Sequence, residues 1–334
     1  MMKKIINEPV NYTIDMLKGI YAAHQDQVGP VGNDLHCYQL LKKKKGKVGI
    51  ITGGGTGHLP LFLGYVGDGM LDGCAVGNVF QSPSAEQIFE LSKAVDQGAG
   101  LLYLYGNYSG DIMNFDMAAE LCGMENIQTK SQVGADDVHS APKEQSGSRR
   151  GVAGIFFQYK CAGAKADKMA SLNEVADIAA LAGSRVRTVG FALSPCIIPE
   201  VGKANFSLSE SEMAMGMGIH GEPGVWNGPL KTAKELVASS LDAILKDMPL
   251  PSGSETAVLV NGLGSTPLDE LYILYGEVYE SLKTRGIKIY RSYVGEFATS
   301  MEMAGASISI FHLNDELKEL LDYPVHTPFF TQIG

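Results

Sequence analysis

Three short stretches of this chain carry side chains able to act on a small ligand. They are Gly53-Gly54-Gly55-Thr56-Gly57-His58, Asn107-Tyr108-Ser109-Gly110-Asp111 and Gly216-Met217-Gly218-Ile219-His220-Gly221-Glu222-Pro223-Gly224. Each ends or centres on a histidine or an aspartate wrapped in small residues, which let backbone approach a ligand and permit the positive φ of a tight loop. His58, Asp111 and His220 on three separate loops read as one assembled pocket; three unrelated turns is the alternative that local composition leaves open. A neutral imidazole is a nucleophile and adds to an activated ketone to give a hemiaminal. That adduct is weak in water, so a pocket must hold its new hydroxyl. His220, flanked by Gly218 and Gly221, is poorly shielded by its neighbours in sequence and suits this role. Taken by itself it reads first as a buried, hydrogen-bonded histidine, and Asp111 reads as either a general base or a helix cap. His24, His36, His139, His312 and His326 lack a comparable glycine setting and read as structural or surface residues.

Nucleotide readings of these loops fail. A phosphate-binding P-loop needs lysine after its last glycine, and here His58 and Leu59 follow Gly57. A dinucleotide loop needs Gly-x-Gly-x-x-Gly; the first stretch has histidine where the last glycine belongs. The stretch from Gly216 to Gly221 matches literally, but Glu222-Pro223-Gly224 cannot open the helix that must follow. The chain shows no means of holding ATP by itself, and no cofactor or metal is expected on it.

The elements that must position these residues follow from the hydrophobic pattern. Residues 12–24 have helical spacing (Ile14, Met16, Leu17, Ile20, Tyr21). Residues 46–52 read as a buried strand running into the first Gly-rich loop. A second strand, around 71–79, ends at Gln81-Ser82-Pro83-Ser84, where Ser82 or Ser84 caps a helix. Residues 100–105 form a strand that delivers the 107–111 loop at its carboxyl end. A helix starting near Asp111 puts that carboxyl where the helix dipole favours its ionised form. Residues 135–150 are polar and read as an exposed loop. Helices 152–168 and 172–183 follow, then strand 187–193, strand 256–262, helix 267–285, strands 287–293 and 306–312, and helix 313–322. The expected class is α/β: two α/β domains, residues 1–185 and 186–334, with parallel or mixed sheets flanked by helices. Ligands of such sheets bind at the carboxyl ends of strands.

Composition narrows the setting. At 334 residues the chain is long for one core, and 45% hydrophobic with 19% charged residues is the balance of an ordinary globular protein. The 37 acidic residues outnumber the 27 basic ones, and the net charge of −10 disfavours direct contact with nucleic acid or anionic membrane. Any effect on DNA would need a partner. No apolar leader follows Met-Met-Lys-Lys, and the apolar runs are strand-length, far short of the roughly 20 residues that span a bilayer. Cysteines 37, 74, 122, 161 and 196 have no metal spacing and suit a reducing cytoplasm, with Cys74 and Cys161 reading as core residues.

The motifs also occur together in one known family. Gly53–His58, Gly64-Tyr65-Val66-Gly67, Ser82-Pro83-Ser84, Asn107–Asp111, Arg150-Gly151-Val152-Ala153-Gly154 and Gly216–Gly224 stand in the family's order. The chain resembles, essentially end to end, the substrate-binding K subunit of bacterial dihydroxyacetone kinase. The resemblance implies a homodimer of two-domain α/β subunits and dihydroxyacetone held as a covalent hemiaminal on His220. It implies that His58 and Asp111 contact the ligand hydroxyls and assist proton transfer, and that the backbone of Gly55, Thr56 and Gly57 lines the pocket. In the phosphoenolpyruvate-dependent enzymes the nucleotide sits on a separate subunit, in keeping with the missing ATP motif. The chain departs from the family pattern at Leu59 (usually glutamate), Gly106 (usually lysine), Tyr159-Lys160 (usually His-Lys), Asn78 and Gln81. Loss of a cation beside the pocket removes a group suited to phosphoryl charge, whereas dihydroxyacetone is neutral. The expectation is therefore a non-kinase paralogue that binds dihydroxyacetone and co-activates a TetR-type regulator of the kinase operon in glycerol metabolism. The alternative is the kinase subunit itself, partnered by the nucleotide-binding subunit.

Overall fold

The structure is a computed structural model and describes residues 3–334. In chain order the first part contains α1 (Tyr12–Ala23), β1 (Val28–Val31), β2 (Asp34–Leu40), β3 (Gly49–Thr56), β4 (Gly73–Val79), α2 (Ala85–Val95), β5 (Leu101–Gly106), α3 (Ser109–Met124), β6 (Thr129–Gly134), α4 (Ile155–Asp167) and α5 (Leu172–Ser184). Its strands form one mixed sheet in the order β1-β2-β4-β3-β5-β6, with β4, β3, β5 and β6 parallel. The chain steps from β3 outward to β4 and then crosses back past β3 to β5, so the direction of winding reverses between β3 and β5. That is the switch point at which α/β sheets open a crevice for ligands.

The second part contains β7 (Val186–Ser194), the short pair β8 (Ile197–Ile198) and β9 (Lys203–Ala204), β10 (Glu212–Met215), β11 (Trp226–Pro229), α6 (Ala233–Asp247), β12 (Glu255–Gly262), α7 (Leu268–Thr284), β13 (Lys288–Gly295), β14 (Ala304–His312), α8 (Asp315–Asp322), β15 (Val325–His326) and β16 (Thr331–Gln332). Its main sheet runs β11-β10-β7-β14-β12-β13, antiparallel except for β12 with β13. The architecture is thus two mixed sheets flanked by helices.

Helix α4 joins the two parts. Eleven of its residues are buried, from Ile155 to Ala166. Phe156 meets Tyr65 of the first part (ring centroids 5.5 Å apart) and Tyr293 of the second (5.1 Å), while Phe157 stacks on Phe311 at 4.8 Å. The chain's ends also cross over. Lys4 pairs with Glu302, and the β15–β16 segment returns to the first part. There the His326 N–H donates to the Asp68 carbonyl at 3.0 Å and the Thr327 hydroxyl donates to the Gly64 carbonyl at 2.8 Å.

Two local expectations change and one alternative is resolved. Gly53 to Thr56 continue strand β3 and do not form a loop. Glycine is needed there for room: a Cβ on Gly54 would stand 2.5 Å from the Phe62 ring, and one on Gly55 2.5 Å from Phe80 Cα. Of the two serines read as possible caps, Ser84 takes the role, in a capping box with Gln87, while Ser82 lies near the Asp111 carboxyl and pulls its pKa down. Residues 135–150 are not simply exposed, because Asp136, Asp137 and Arg149 are buried. The Asp136 carboxylate accepts the N–H groups of Val152 (2.9 Å) and Gly154 (2.8 Å), and Arg149 grips Asp247 with two bonds of 3.0 and 2.6 Å. Charges satisfied this completely can be buried.

Candidate active site

Three parallel strands aim three loops at one point. Beyond β3 comes His58, beyond β4 come Phe80 and Ser82, and beyond β5 come Tyr108 and Asp111. From the second part, the connection between β10 and β11 brings His220 against them. The His58 and His220 rings lie edge to face with centroids 4.8 Å apart. Phe80 stacks on His58 at 4.9 Å and meets His220 edge-on at 5.2 Å, and Tyr108 stands edge-on to His220 at 4.7 Å. The structure therefore brings the histidines and Asp111 together, and adds two aromatic side chains that sequence patterning did not single out.

His58 is fixed by the second part of the chain. Its Nδ1 lies 2.7 Å from the Thr299 carbonyl, which can only accept, so the proton is on Nδ1 and Nε2 keeps its lone pair. The Thr299 N–H in turn donates to the His58 carbonyl at 3.2 Å, and its hydroxyl donates to the Leu59 carbonyl at 2.9 Å. Burial, assisted by the neighbouring His220, holds the imidazole down at about 3, so His58 is neutral across the working range. Its Nε2 is buried and without a partner.

Asp111 occupies the first turn of α3, buried, with Oδ1 unpartnered. The helix dipole was expected to favour its ionised form, but desolvation wins. Burial pushes the carboxyl up to about 6, against the opposing pull of the Ser82 hydrogen bond and of His220. The buried His58 Nε2 and Asp111 Oδ1 are thus two orphaned polar atoms that a polar ligand could satisfy.

His220 is oriented by Glu222. The ring Nδ1 lies 2.8 Å from Glu222 Oε1, and the backbone N–H of His220 donates to Oε2 at 2.9 Å. Burial alone would raise the Glu222 carboxyl, but the bond from His220 and its charge bring it down to about 2. An ionised carboxylate only accepts, so in the neutral ring the proton sits on Nδ1 and the Nε2 lone pair is free. The Asn205 amide donates to the His220 carbonyl at 2.9 Å. Arg150 ties the base of the loop to the first part, donating to the Gly216 carbonyl at 2.8 Å and pairing with Asp137 at 2.7 Å; its Nη1 is 4.0 Å from Glu222 Oε2. A Cβ on Gly218 would stand 2.1 Å from that same carboxylate oxygen, so glycine is the residue that lets Glu222 fold back on the loop.

A lone pair on a carboxylate-oriented imidazole, with a neutral histidine and a buried carboxyl nearby, is chemically able to add to a small carbonyl compound. The Dak1 domain model matches residues 18–329. The chain belongs to the Dak1 domain family. The dihydroxyacetone-binding subunit of a PTS-dependent dihydroxyacetone kinase from Listeria innocua is 42% identical over 330 residues, covering 98% of this chain and 99% of that protein. A D-erythrulose kinase of Mycolicibacterium smegmatis is 40% identical over 98% of this chain, which spans 56% of that enzyme. Among solved structures, a dihydroxyacetone kinase operon co-activator superposes with a TM-score of 0.89 at 28% identity, covering 98% of this chain and 100% of that one.

Within this Dak1 chain, Glu222, Tyr108, Phe80, Thr299 and Arg150 are site residues that sequence reasoning left unassigned. The carboxylate two residues after His220 was the available signal for Glu222, and Arg150 opened a quoted motif. Thr299 had no signal, since it meets His58 across 241 positions. The departures from the family pattern are accommodated. Tyr159 shares a 2.7 Å bond with the Thr52 hydroxyl, and Lys160 donates to the Tyr323 carbonyl at 2.6 Å, both inside the core. Asn78 and Gln81 are exposed. Among the described residues, no helix is long and apolar enough to cross a membrane.

Proposed function

We propose that this chain captures dihydroxyacetone covalently on His220 and serves as the ketone-binding subunit of a PTS-dependent kinase, the phosphoryl group being brought by a separate nucleotide-binding subunit. The observation that carries this reading is the Glu222 carboxylate on His220 Nδ1, which leaves the Nε2 lone pair free in a region that also holds two unpartnered acceptors, His58 Nε2 and Asp111 Oδ1. In the adduct, Nε2 bonds the central carbon, the carbonyl π pair moves to oxygen, and that oxygen takes a proton from solvent. The imidazole becomes a cation, balanced by Glu222. His58 Nε2 and Asp111 Oδ1 each accept a hydrogen bond from one terminal hydroxyl, and Asp111, with its carboxyl near 6, is the base for the hydroxyl that receives phosphate.

The 42% identity to a kinase subunit over nearly the full length of both chains supports this reading over the sensor expected from the departures. Reconstitution with the nucleotide-bearing subunit and its phosphoryl donor system tests it: turnover of roughly 1–1000 per second is expected. A crystal soaked with dihydroxyacetone should show continuous density from the His220 ring to the ketone carbon, and an empty or merely hydrogen-bonded pocket would refute capture.

One observation favours the second reading, a dihydroxyacetone sensor acting through a TetR-type DNA-binding partner. Gly106 and Leu59 leave no lysine or glutamate at those two places beside the site, and the co-activator structure has the same fold along its whole length. Binding without turnover in the reconstituted system, with ligand-dependent recovery of such a regulator, would select it. A homodimer is proposed under either reading.

A further inference from the structure

A ketone attacked at its central carbon presents two arms, and this site meets each arm with a polar atom that has an aromatic ring beside it. On one side His58 carries the stacked ring of Phe80 at 4.9 Å. On the other, Asp111 lies one turn into α3 from Tyr108, whose ring stands 4.7 Å from His220. The Tyr108 ring rests on backbone bare of side chains. A Cβ on Gly106 would lie 3.0 Å from its Cε2, and one on Gly151 would lie 2.8 Å from Gly106 Cα. The Tyr108 hydroxyl donates to the Gly151 carbonyl at 3.1 Å. A half-buried ring seated on a glycine shelf and tethered by its hydroxyl is a fixed wall of the site.

We propose, on the premise that His220 holds a ketone, that Tyr108 limits the ligand to three carbons. One more CHOH on the arm that reaches Asp111 must lift the ring from its shelf, giving up both the contact with His220 and the bond to Gly151. Phe80 closes the other arm but cannot yield in the same way. Its φ is +61°, its backbone is pressed against Gly55, and its ring packs against the apolar cluster that includes Met217 and Met303. Tyr108 is therefore the wall that substitution can open. It packs against the His220 ring without taking part in bond making, and its role is selection by size.

Calorimetric titration of dihydroxyacetone and of erythrulose, the same ketone with one added CHOH, into the full chain tests this. The parent is expected to prefer dihydroxyacetone by about tenfold or more, the scale on which a pocket rejects one extra carbon. Tyr108→Phe keeps the ring and should keep the preference. Tyr108→Ala, with Tyr108→Leu as a second variant should alanine fail to fold, should bring the two affinities within about threefold, chiefly by strengthening erythrulose. A parent that binds both sugars equally overturns the proposal, as does a variant that weakens both in proportion with the preference intact. A parent that binds neither sugar rejects the premise of capture at His220 itself.

Discussion

His220 and Glu222, two positions apart, share two hydrogen bonds: the ring Nδ1–H to Oε1 at 2.8 Å and the backbone N–H to Oε2 at 2.9 Å. One carboxylate thus fixes both the loop and the tautomer of the imidazole it carries. Glu222→Gln keeps an acceptor of the same shape and removes the charge that balances the alkylated ring. Dihydroxyacetone affinity should fall by about 1–2 kcal/mol, the difference between a charged and a neutral partner. Calorimetry that finds affinity unchanged would remove Glu222 from the capture step.

Affinity should also depend on pH through Asp111. With its carboxyl at about 6, the hydroxyl-accepting ionised form is lost as pH falls through 6, and binding should weaken over that range. Asp111→Asn should flatten the profile and cost about 1–3 kcal/mol of affinity at pH 8.

The same shift makes an opposite prediction for stability. The folded state holds the Asp111 proton more tightly than the unfolded chain, whose carboxyl titrates near 3.8. The contribution of Asp111 to the stability of the ligand-free protein, at most about 3 kcal/mol, is therefore lost as pH rises from about 4 to about 6. Asp111→Asn should raise the pH 7 melting midpoint of the ligand-free protein, with the gain vanishing below pH 4. A lower midpoint at pH 7 would contradict the burial argument.

Two glycines should fail differently when changed to alanine. At Gly55 the new Cβ meets backbone, Phe80 Cα at 2.5 Å and Gln81 N at 2.6 Å, so Gly55→Ala should destabilise the fold by about 1–3 kcal/mol or more. At Gly218 it meets the ends of two side chains, Glu222 and Arg150. Gly218→Ala should leave chemical denaturation nearly unchanged while weakening ligand binding.

Arg149 and Asp247 are both buried, and Arg187 also reaches Asp247. Asp247→Asn leaves Arg149 buried without its counter-charge and should cost about 3–5 kcal/mol in urea denaturation. A loss below about 1 kcal/mol, the range of surface pairs, would mean that water reaches the site.

Much of this structure was legible in the sequence, for identifiable reasons. Helix α1, the strands leading to His58 and Asp111, and most second-part elements are set by local periodicity, and the read spans agree within a few residues. Helix α6 was passed over although Thr232 and Glu235 form a capping box at its start. Strands β1, β2 and β6 carry weak alternation because they lie toward the sheet edges. The meeting of His58 and His220 was legible from the joint presence of three glycine-rich stretches, although the first of them is the end of strand β3 and not a loop. What the site residues do electrostatically was not, because the dipole at Asp111 is a local property and its desolvation is imposed by the whole fold. Within residues 135–150, Asp136 and Arg149 are buried for the same reason: their counter-charges and bonding partners lie in the turn before α4, on β7 and on α6.

The crossing of the β15–β16 segment onto the first part bears on how the protein is made. The Thr327 hydroxyl closes onto the Gly64 carbonyl across 263 residues. At a synthesis rate of about 5–20 residues per second, that bond has to wait roughly 15–50 s after Gly64 leaves the ribosome. Until then the turn that follows His58 lacks its cover, although β3, β4 and β5 have long been available to pair. A chain cut short before residue 325 should therefore emerge with β3, β4 and β5 able to pair and the Gly64 carbonyl still uncovered.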